Sequence, residues 1–320
     1  MQYRSLGNSG LQVTSICLGT MAFQRWIDEA MSAQVIDAAL DAGINFFDTA
    51  NMYGRGMDTG SLEQRGESET VLGNLLGPRR QSIILATKVR GQMDPGPNGQ
   101  GLSRRHIMEQ VEASLRRLRT DYIDLYQCHR FDEGTPLEET MRALDDLVRQ
   151  GKVRYIGCSN FAAWQIAKAN GISERWGLAR FISVQPQYNL LVRDVEAELA
   201  PFCRSEGVGM MVFSPIARGL LAGKYRLGGP APEGTRGAAG EARLQLLMNE
   251  RNFQLVERFR ALCQEWGLPM VQVAIAWVLA NPAVTTAIVG ASRPGQIADA
   301  VAAAELRLTP AQMGALNALV

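Results

Sequence analysis

Four side chains with the chemistry to move a proton stand at or near the ends of separate apolar runs. Asp48 and Tyr53 lie in "NFFDTANMYG", Lys88 lies in "LATKV", and His129 ends "LYQCH". A carboxylate at the end of a buried strand is costly unless a cation pairs with it. Asp48 therefore predicts a cationic partner, and Lys88 is the candidate.

The expected chemistry is protonation of an oxygen on which negative charge develops. A phenol with a pKa of about 10 is a poor proton donor at neutral pH, and a nearby ammonium favours the phenolate. Lys88 would act in this way on Tyr53, and Asp48 would hold Lys88. A neutral His129 would orient a carbonyl oxygen. None of these groups carries electrons, so a reduction here needs a cofactor. Asp48 and Lys88 alone would also fit a structural ion pair.

The elements that must position these side chains are eight apolar runs that alternate with amphipathic helices. Such runs are typical of parallel strands buried on both faces. Eight β/α units predict a (β/α)8 TIM barrel, in which the carboxyl ends of the strands meet at one mouth. A doubly wound sheet is the alternative, but no Gly-rich nucleotide turn follows the first run. The runs are "SICLGT", "NFFDTA", "SIILATKV", "YIDLYQCH", "VRYIGCSN", "RFISVQPQ", "VGMMVFSP" and "TTAIVGA".

Two local patterns complete the expected architecture of a single domain spanning 1–320. The N-terminal "YRSLGNSGLQVTS" predicts a β-hairpin that caps the barrel bottom. Among the helices, "SRRHIMEQVEASLRRL" predicts Ser103 as N-cap, and "TPLEETMRALDDLVRQG" predicts a capping box of Thr135 and Glu138.

Composition excludes some classes of partner and compartment. Lys and Arg number 33 and Asp and Glu 32, which argues against nucleic acid or an anionic membrane as the main partner. Five cysteines without a C-x-x-C pair and an N-terminus without an apolar signal region predict a reduced, cytoplasmic protein. The apolar stretch "PMVQVAIAWVLANPAVTTAIVGA" predicts a buried helix, a turn and a strand. No residue cluster predicts a metal.

Seven segments together resemble the aldo-keto reductase family. They are "FFDTANMYG", "LATKV", "YQCHR", "GCSNF", "VQPQYNLL", "FSPIARGLLAGKY" and "IVGASRPGQ", and the resemblance runs from about residue 3 to 310. It includes the potassium-channel β subunit and the aldose and pyridoxal reductase branches. The family's catalytic tetrad maps onto Asp48, Tyr53, Lys88 and His129. The resemblance implies NADPH-dependent reduction of aldehydes or ketones, with Tyr53 as general acid.

The resemblance also implies a set of NADPH-binding residues. Many relatives have Asn where this chain has Ala300, which puts one adenine contact in doubt. The implied holders of the carboxamide are Ser159, Asn160 and Gln185, and Phe213 would lie against the nicotinamide ring. The implied pyrophosphate loop comprises Ser214, Pro215, Ile216, Arg218, Gly219, Leu221 and Lys224. The implied adenosine-phosphate contacts are Gly290, Ser292, Arg293, Gln296 and Asp299.

The sequence leaves alternatives open for the substrate pocket, for the long segment 216–247 and for a regulatory function. Phe23, Trp26, Met52 and Arg130 follow barrel strands and are expected either to line a pocket for a small carbonyl substrate or to pack within their loops. The long segment 216–247 is expected to clasp the cofactor, or else to be a solvent loop. The alternative function is an NADPH-binding regulatory or redox-sensing subunit with little turnover, and the complete tetrad favours the enzyme. The sequence predicts neither the physiological substrate nor the oligomeric state.

Overall fold

A computed structural model describes residues 1–232, 237, 238 and 240–319. Its first two strands are β1 (Tyr3–Ser5) and β2 (Gln12–Thr14), which pair antiparallel. The others form a closed parallel barrel in chain order, with β10 paired to β3. They are β3 (Ile16–Gly19), β4 (Phe46–Asp48), β5 (Ile84–Val89), β6 (Ile123–Cys128), β7 (Val153–Ser159), β8 (Phe181–Gln185), β9 (Gly209–Phe213) and β10 (Val284–Gly290). The predicted barrel and all eight of its strands are confirmed.

Helices connect successive barrel strands on the outside. They are α1 (Glu29–Asp41), α2 (Gly56–Thr59), α3 (Glu67–Leu76), α4 (Arg104–Leu118), α5 (Leu137–Arg149), α6 (Ala163–Trp176), α7 (Leu199–Glu206), α8 (Ala242–Gln245), α9 (Glu250–Glu265), α10 (Met270–Ala280), α11 (Gly295–Glu305) and α12 (Pro310–Asn317). Short 3-10 turns cover Gly77–Ser82, Asp194–Glu196 and Ala217–Ala222.

The hairpin of β1 and β2 closes the amino-terminal end of the barrel, as predicted. Leu6 and Val13 are fully buried and pack into the apolar cluster inside the barrel. Asn8 N donates to Gly207 O at 2.7 Å, just before β9. Gly7 has φ of 58°, and a Cβ there would lie 2.3 Å from Ile182 O, so this turn requires glycine. The hairpin therefore lies at the end of the barrel opposite the carboxyl ends of the strands.

Helix starts show where local patterns hold and where they fail. Ser103 caps α4 by accepting from His106 N at 3.3 Å, as predicted. The predicted capping box of α5 is wrong: the helix begins after Pro136, and its N-cap makes no side-chain hydrogen bond. Thr135 instead donates to Asp132 Oδ2 at 2.9 Å. The Thr135 hydroxyl therefore binds the Asp132 carboxylate in the preceding loop and does not cap α5.

The longest apolar stretch divides into α10 and β10, as the sequence predicts. Within the described ranges, no single helix is long and apolar enough to span a membrane. The helices α9 and α10 meet the length and composition criteria only as a pair, and the chain bends by 99° between them. Most of α10 is buried in the hydrophobic core.

Candidate active site

The ends of β4 and β5 bring the predicted ion pair together at the open mouth of the barrel. Asp48 pairs in register with Ala86, two residues before Lys88. The Lys88 side chain is fully buried, and its Nζ contacts a carboxylate oxygen of Asp48. Nζ also donates to Thr49 O at 2.8 Å and to Tyr53 OH at 3.3 Å. The three N–H donors of the ammonium therefore have three acceptors.

This environment keeps Lys88 charged. Burial alone lowers the pKa of an ammonium, but the negative charge of Asp48 and the Tyr53 hydroxyl oppose that effect, and the net pKa of Lys88 is raised. A cation held in the barrel wall is thus hydrogen-bonded to a phenol. The electrostatic arrangement is one that stabilises negative charge on Tyr53.

Tyr53 and His129 bring this chemistry to the surface of a cavity. Both side chains are partly exposed and line the same space. Their rings meet edge to face, with centroids 5.8 Å apart and an angle of 77° between the planes. Lys88 Nζ lies 4.9 Å from the centre of the Tyr53 ring. The Tyr53 side chain therefore contacts the buried ammonium of Lys88 and also lines the cavity.

The cavity has a volume of 420 Å³ and lies over the carboxyl ends of the strands. Three tetrad members, Asp48, Tyr53 and His129, contribute to its wall, with Lys88 buried behind them. Most residues assigned from the sequence to cofactor or substrate are also brought together here. They are Trp26, Ser159, Asn160, Gln185, Phe213, Ser214, Pro215, Ile216, Arg218, Gly219, Lys224, Gly290, Ser292 and Gln296.

Two predicted contact residues are packed into the protein interior instead. The side chains of Phe23 and Leu221 are fully buried in the hydrophobic core and do not line the cavity. Phe23 lies in the loop after β3, and Leu221 lies in the 3-10 turn after β9. In both loops a neighbouring residue faces the cavity, Ala22 and Gly219 respectively.

Four further predicted residues lie outside the cavity lining. Met52 packs against the next loop, since a Cβ built at Gly91 would come 2.8 Å from its Cβ. Arg130 is exposed to solvent beside His129. Arg293 is exposed after β10, and Asp299 lies half-buried on α11. Arg293 lies between Ser292 and Gln296 in the sequence, and Asp299 follows three residues after Gln296; Ser292 and Gln296 do line the cavity.

The residues that the sequence analysis predicted to hold a carboxamide are hydrogen-bonded to one another. Ser159 Oγ donates to Gln185 O at 2.8 Å. Asn160 Nδ2 donates to Ser159 Oγ at 2.9 Å and to His129 O at 3.1 Å. Asn160 has a left-handed φ of 56°, a conformation that is uncommon outside glycine and concentrates at functional sites. These bonds fix the wall of the cavity next to the tetrad.

The segment 216–247 supplies the opposite wall where it is described; residues 233–236 and 239 lie outside the described part. Arg218, with φ of 58°, is buried and forms an ion pair with Glu241. Tyr225 OH accepts from Gly237 N at 3.3 Å, and both Tyr225 and Ala238 line the cavity. The segment therefore lies across the cavity rather than away from it.

The sequence analysis missed several wall residues and one buried polar residue. The cavity wall also contains residues that the sequence analysis did not assign to the site: Gly19, Ala22, Tyr225, Ile288, Val289 and Ala291. Gln127, on β6, is fully buried, and its Nε2 donates to Asp48 Oδ2 at 3.0 Å. Its position two residues before His129, on the same face of a strand, was the available signal.

Comparison with known proteins is consistent with this geometry. The model of the aldo/keto reductase family matches residues 15–320. The chain is 41% identical to the uncharacterized oxidoreductase YrpG of Bacillus subtilis, over 99% of this chain and 95% of that protein. It is 38% identical to versiconal hemiacetal acetate reductase of Aspergillus parasiticus, over 98% and 95%. It is 37% identical to a probable voltage-gated potassium channel subunit beta of Arabidopsis thaliana, over 97% and 94%.

The chain therefore belongs to the aldo/keto reductase family. Its barrel and its reductase-named relatives support an oxidoreductase function at this level.

Proposed function

We propose that this protein is an NADPH-dependent reductase that converts aldehydes or ketones to alcohols. The observation that carries the proposal is Lys88, whose ammonium contacts buried Asp48 and Tyr53 OH at once, with Tyr53 facing a cavity of 420 Å³. A cation that stabilises a phenolate suits a proton donor to an oxygen that gains negative charge.

The residues around the cavity fit a nicotinamide dinucleotide. Amides and a hydroxyl lie at the tetrad end, in Ser159, Asn160 and Gln185, and the aromatic Phe213 lies beside them. Two cationic side chains, Arg218 and Lys224, line the other part of the wall and suit phosphate groups. When bound, a reduced nicotinamide supplies the hydride that this chain cannot supply itself.

The chain's own residues then handle the oxygen of the substrate. His129 donates a hydrogen bond to the carbonyl oxygen and orients it beside Tyr53. Tyr53 gives its hydroxyl proton to that oxygen as charge develops, and Lys88 stabilises the resulting phenolate. Asp48 keeps Lys88 in place and charged. A positioned acid of this kind contributes about 100- to 10,000-fold in rate.

A second candidate, a regulatory or redox-sensing subunit that binds NADPH with little turnover, is suggested by the relatives named as potassium channel β subunits. Sensing through cysteine fits poorly. All five thiols are buried, and burial raises the pKa of Cys203 and Cys263 to about 12. The intact contacts of Asp48, Lys88 and Tyr53 support the enzyme.

Turnover of a generic aldehyde tests the proposal. Purified protein with NADPH and 4-nitrobenzaldehyde should oxidise the cofactor and form the alcohol in equal amount. The loss of the near-ultraviolet absorbance of the reduced cofactor measures the rate. A panel of sugar, aromatic and aliphatic carbonyls would then rank substrates by kcat/KM. Cofactor binding without turnover of any of these compounds would favour the regulatory subunit instead.

Preference for NADPH over NADH is a separate expectation that rests on Arg293. This arginine is exposed after β10, next to cavity residues Ser292 and Gln296, and a guanidinium suits the 2′-phosphate through paired N–H donors. Arg293→Ala should raise the Kd for NADPH about tenfold, a typical effect of losing a charge-assisted hydrogen bond, and leave the Kd for NADH unchanged.

The matched control is Arg116→Ala, an exposed arginine on α4 on another side of the barrel. Fluorescence titration with both cofactors gives the four Kd values. Equal weakening of NADPH and NADH by Arg293→Ala would reject the 2′-phosphate role.

A further inference from the structure

The second oxygen of Asp48 receives two amide donors that the proposed mechanism does not use. Gln127 Nε2 donates to Asp48 Oδ2 at 3.0 Å, and Gln185 Nε2 donates to the same atom at 2.9 Å. The amides also contact each other, because Gln185 Nε2 donates to Gln127 Oε1 at 3.2 Å. Gln127 is fully buried and Gln185 is 3% exposed. The three side chains form a closed triangle of hydrogen bonds under the cavity.

This triangle fixes which way both amides point. A carboxylate paired with an ammonium has acceptor atoms only, so each amide must turn its NH2 group toward Asp48. The two N–H donors of Gln185 are then directed to Asp48 and to Gln127. Its carbonyl oxygen is left as the part of the amide that can accept a hydrogen bond from a ligand, and Gln185 lines the cavity. Gln127, together with Asp48, thus fixes the orientation of an amide that would touch a bound molecule.

Strand register explains why Gln127 can reach both partners. It lies opposite Lys88 on β5, and opposite Gly157 on β7, which carries no side chain at that point. From this place it contacts Asp48 on β4 and Gln185 on β8. One side chain therefore joins strands on the two sides of the site.

We propose that Gln127 is a positioning residue that holds Asp48 and Gln185 in fixed mutual orientation, so that proton delivery and cofactor placement are aligned. The proposal rests on the proposed reductase function. Gln127 touches neither substrate nor cofactor, since it lies outside the cavity lining. It acts through Asp48, which holds Lys88, and through Gln185, whose oxygen would accept from a carboxamide.

Two substitutions separate positioning from simple packing. Gln127→Met keeps the length and volume of the side chain but removes both hydrogen bonds. It should lower kcat about tenfold, as expected for losing a hydrogen bond to a charged group, while KM for the aldehyde stays within about twofold. The Kd for NADPH should rise, because the Gln185 amide loses one of the two acceptors that hold its orientation.

Gln127→Glu should retain more of the wild-type kcat than Gln127→Met does, to an extent that depends on pH. Its carboxyl group, when protonated, can donate to Asp48 and accept from Gln185 as the amide does; when ionised, it repels Asp48. The charged and titratable groups of the site are Asp48, which Gln127 contacts, Lys88, which lies opposite it on β5, and Tyr53, which Lys88 contacts. Cys17 on β3 lies near Asp48 and Lys88, and His129 directly follows β6. Relative to wild type at each pH, kcat of this variant should rise about fivefold or more from about pH 8 to about pH 5.5. Gln127→Met should show no such trend.

The matched control is Gln110→Met, which removes a buried amide from α4 that contacts Asn51 Nδ2 at 3.4 Å. Its kcat and pH profile should equal those of wild type, and thermal melts of all variants report any loss of stability.

A Gln127→Met protein that melts at a lower temperature but keeps wild-type kcat and Kd would reduce Gln127 to a packing role and overturn the proposal. If kcat of Gln127→Glu divided by kcat of wild type did not change with pH, the proposal would also be overturned, even if the Gln127→Met protein did not fold. Wild-type protein without NADPH binding or turnover would reject the reductase function itself, a result distinct from either.

Discussion

Tyr53→Phe should lower the rate of carbonyl reduction at least about a hundredfold, which is the usual contribution of a positioned general acid, while cofactor affinity stays within about twofold. The substitution removes one hydroxyl group and little else. Lys88 loses one of three acceptors and keeps Asp48 and Thr49 O. The aromatic ring remains to contact Lys88 and His129, so the cavity keeps its shape.

Single-turnover reduction with preformed enzyme–NADPH complex is the sharpest measurement, because product or cofactor release can limit kcat and hide a change in chemistry. Tyr122→Phe is the matched control. Tyr122 lies just before β6, at the amino-terminal end of the barrel, where Arg80 and Arg154 stack on its ring. A Tyr53→Phe enzyme that retained more than about a tenth of the wild-type rate would exclude Tyr53 as the acid, since an acid supplies far more than tenfold.

The barrel was predictable because each parallel strand that is buried on both faces appears in the sequence as a continuous apolar run. The ends of β4 to β8 also bring polar residues to the mouth, since side chains alternate along a strand and strand ends converge. Asp48, Lys88 and His129 are tied to their strands in this way. Their meeting follows from the fold, and so does the contact of Lys88 with the neighbouring strand.

Loop residues were less predictable, because no periodicity fixes where a loop side chain points. Phe23 is in the core, whereas Ala22 lines the cavity, and nothing in "TMAFQRW" distinguishes them. Gln127 escaped notice for another reason. A glutamine within an apolar run looks like an edge or surface position, and its burial makes sense only once Asp48 and Gln185 are seen to satisfy it. Partners that come from distant parts of the chain are invisible to local patterns.

Lys88→Met should be the most damaging single substitution in the site, in both stability and activity. It keeps an unbranched side chain of similar length but leaves the Asp48 carboxylate without its cation. Breaking a buried ion pair by removing one partner typically costs about 3–5 kcal/mol of unfolding free energy. The remaining donors, Gln127 and Gln185, are neutral and compensate only in part. Carbonyl reduction should fall more than about a hundredfold, because the phenolate of Tyr53 loses its stabilising charge.

The matched control is Lys152→Met, which removes a partly exposed cation paired with Glu112. Exposed pairs contribute up to about 1 kcal/mol, so this variant should stay close to wild type in urea melts and in activity. If Lys88→Met lost no more stability than Lys152→Met, the pair with Asp48 would contribute little to the fold. A folded Lys88→Met enzyme with near-normal turnover would remove Lys88 from the mechanism.

The stability difference between wild type and Lys88→Met should also depend on pH in one direction. The pKa of Lys88 in the folded protein is raised above its ordinary value of 10.5. A group of this kind contributes stability that is fully present below its unfolded pKa and is lost as pH rises through the folded pKa. Urea melts of both proteins should therefore give a constant difference from neutral pH to about pH 9.5, and a shrinking one above about pH 10.5. A difference that grew with alkaline pH would mean that Lys88 is held neutral in the folded protein, and a neutral amine could not stabilise the phenolate on which proton transfer from Tyr53 depends.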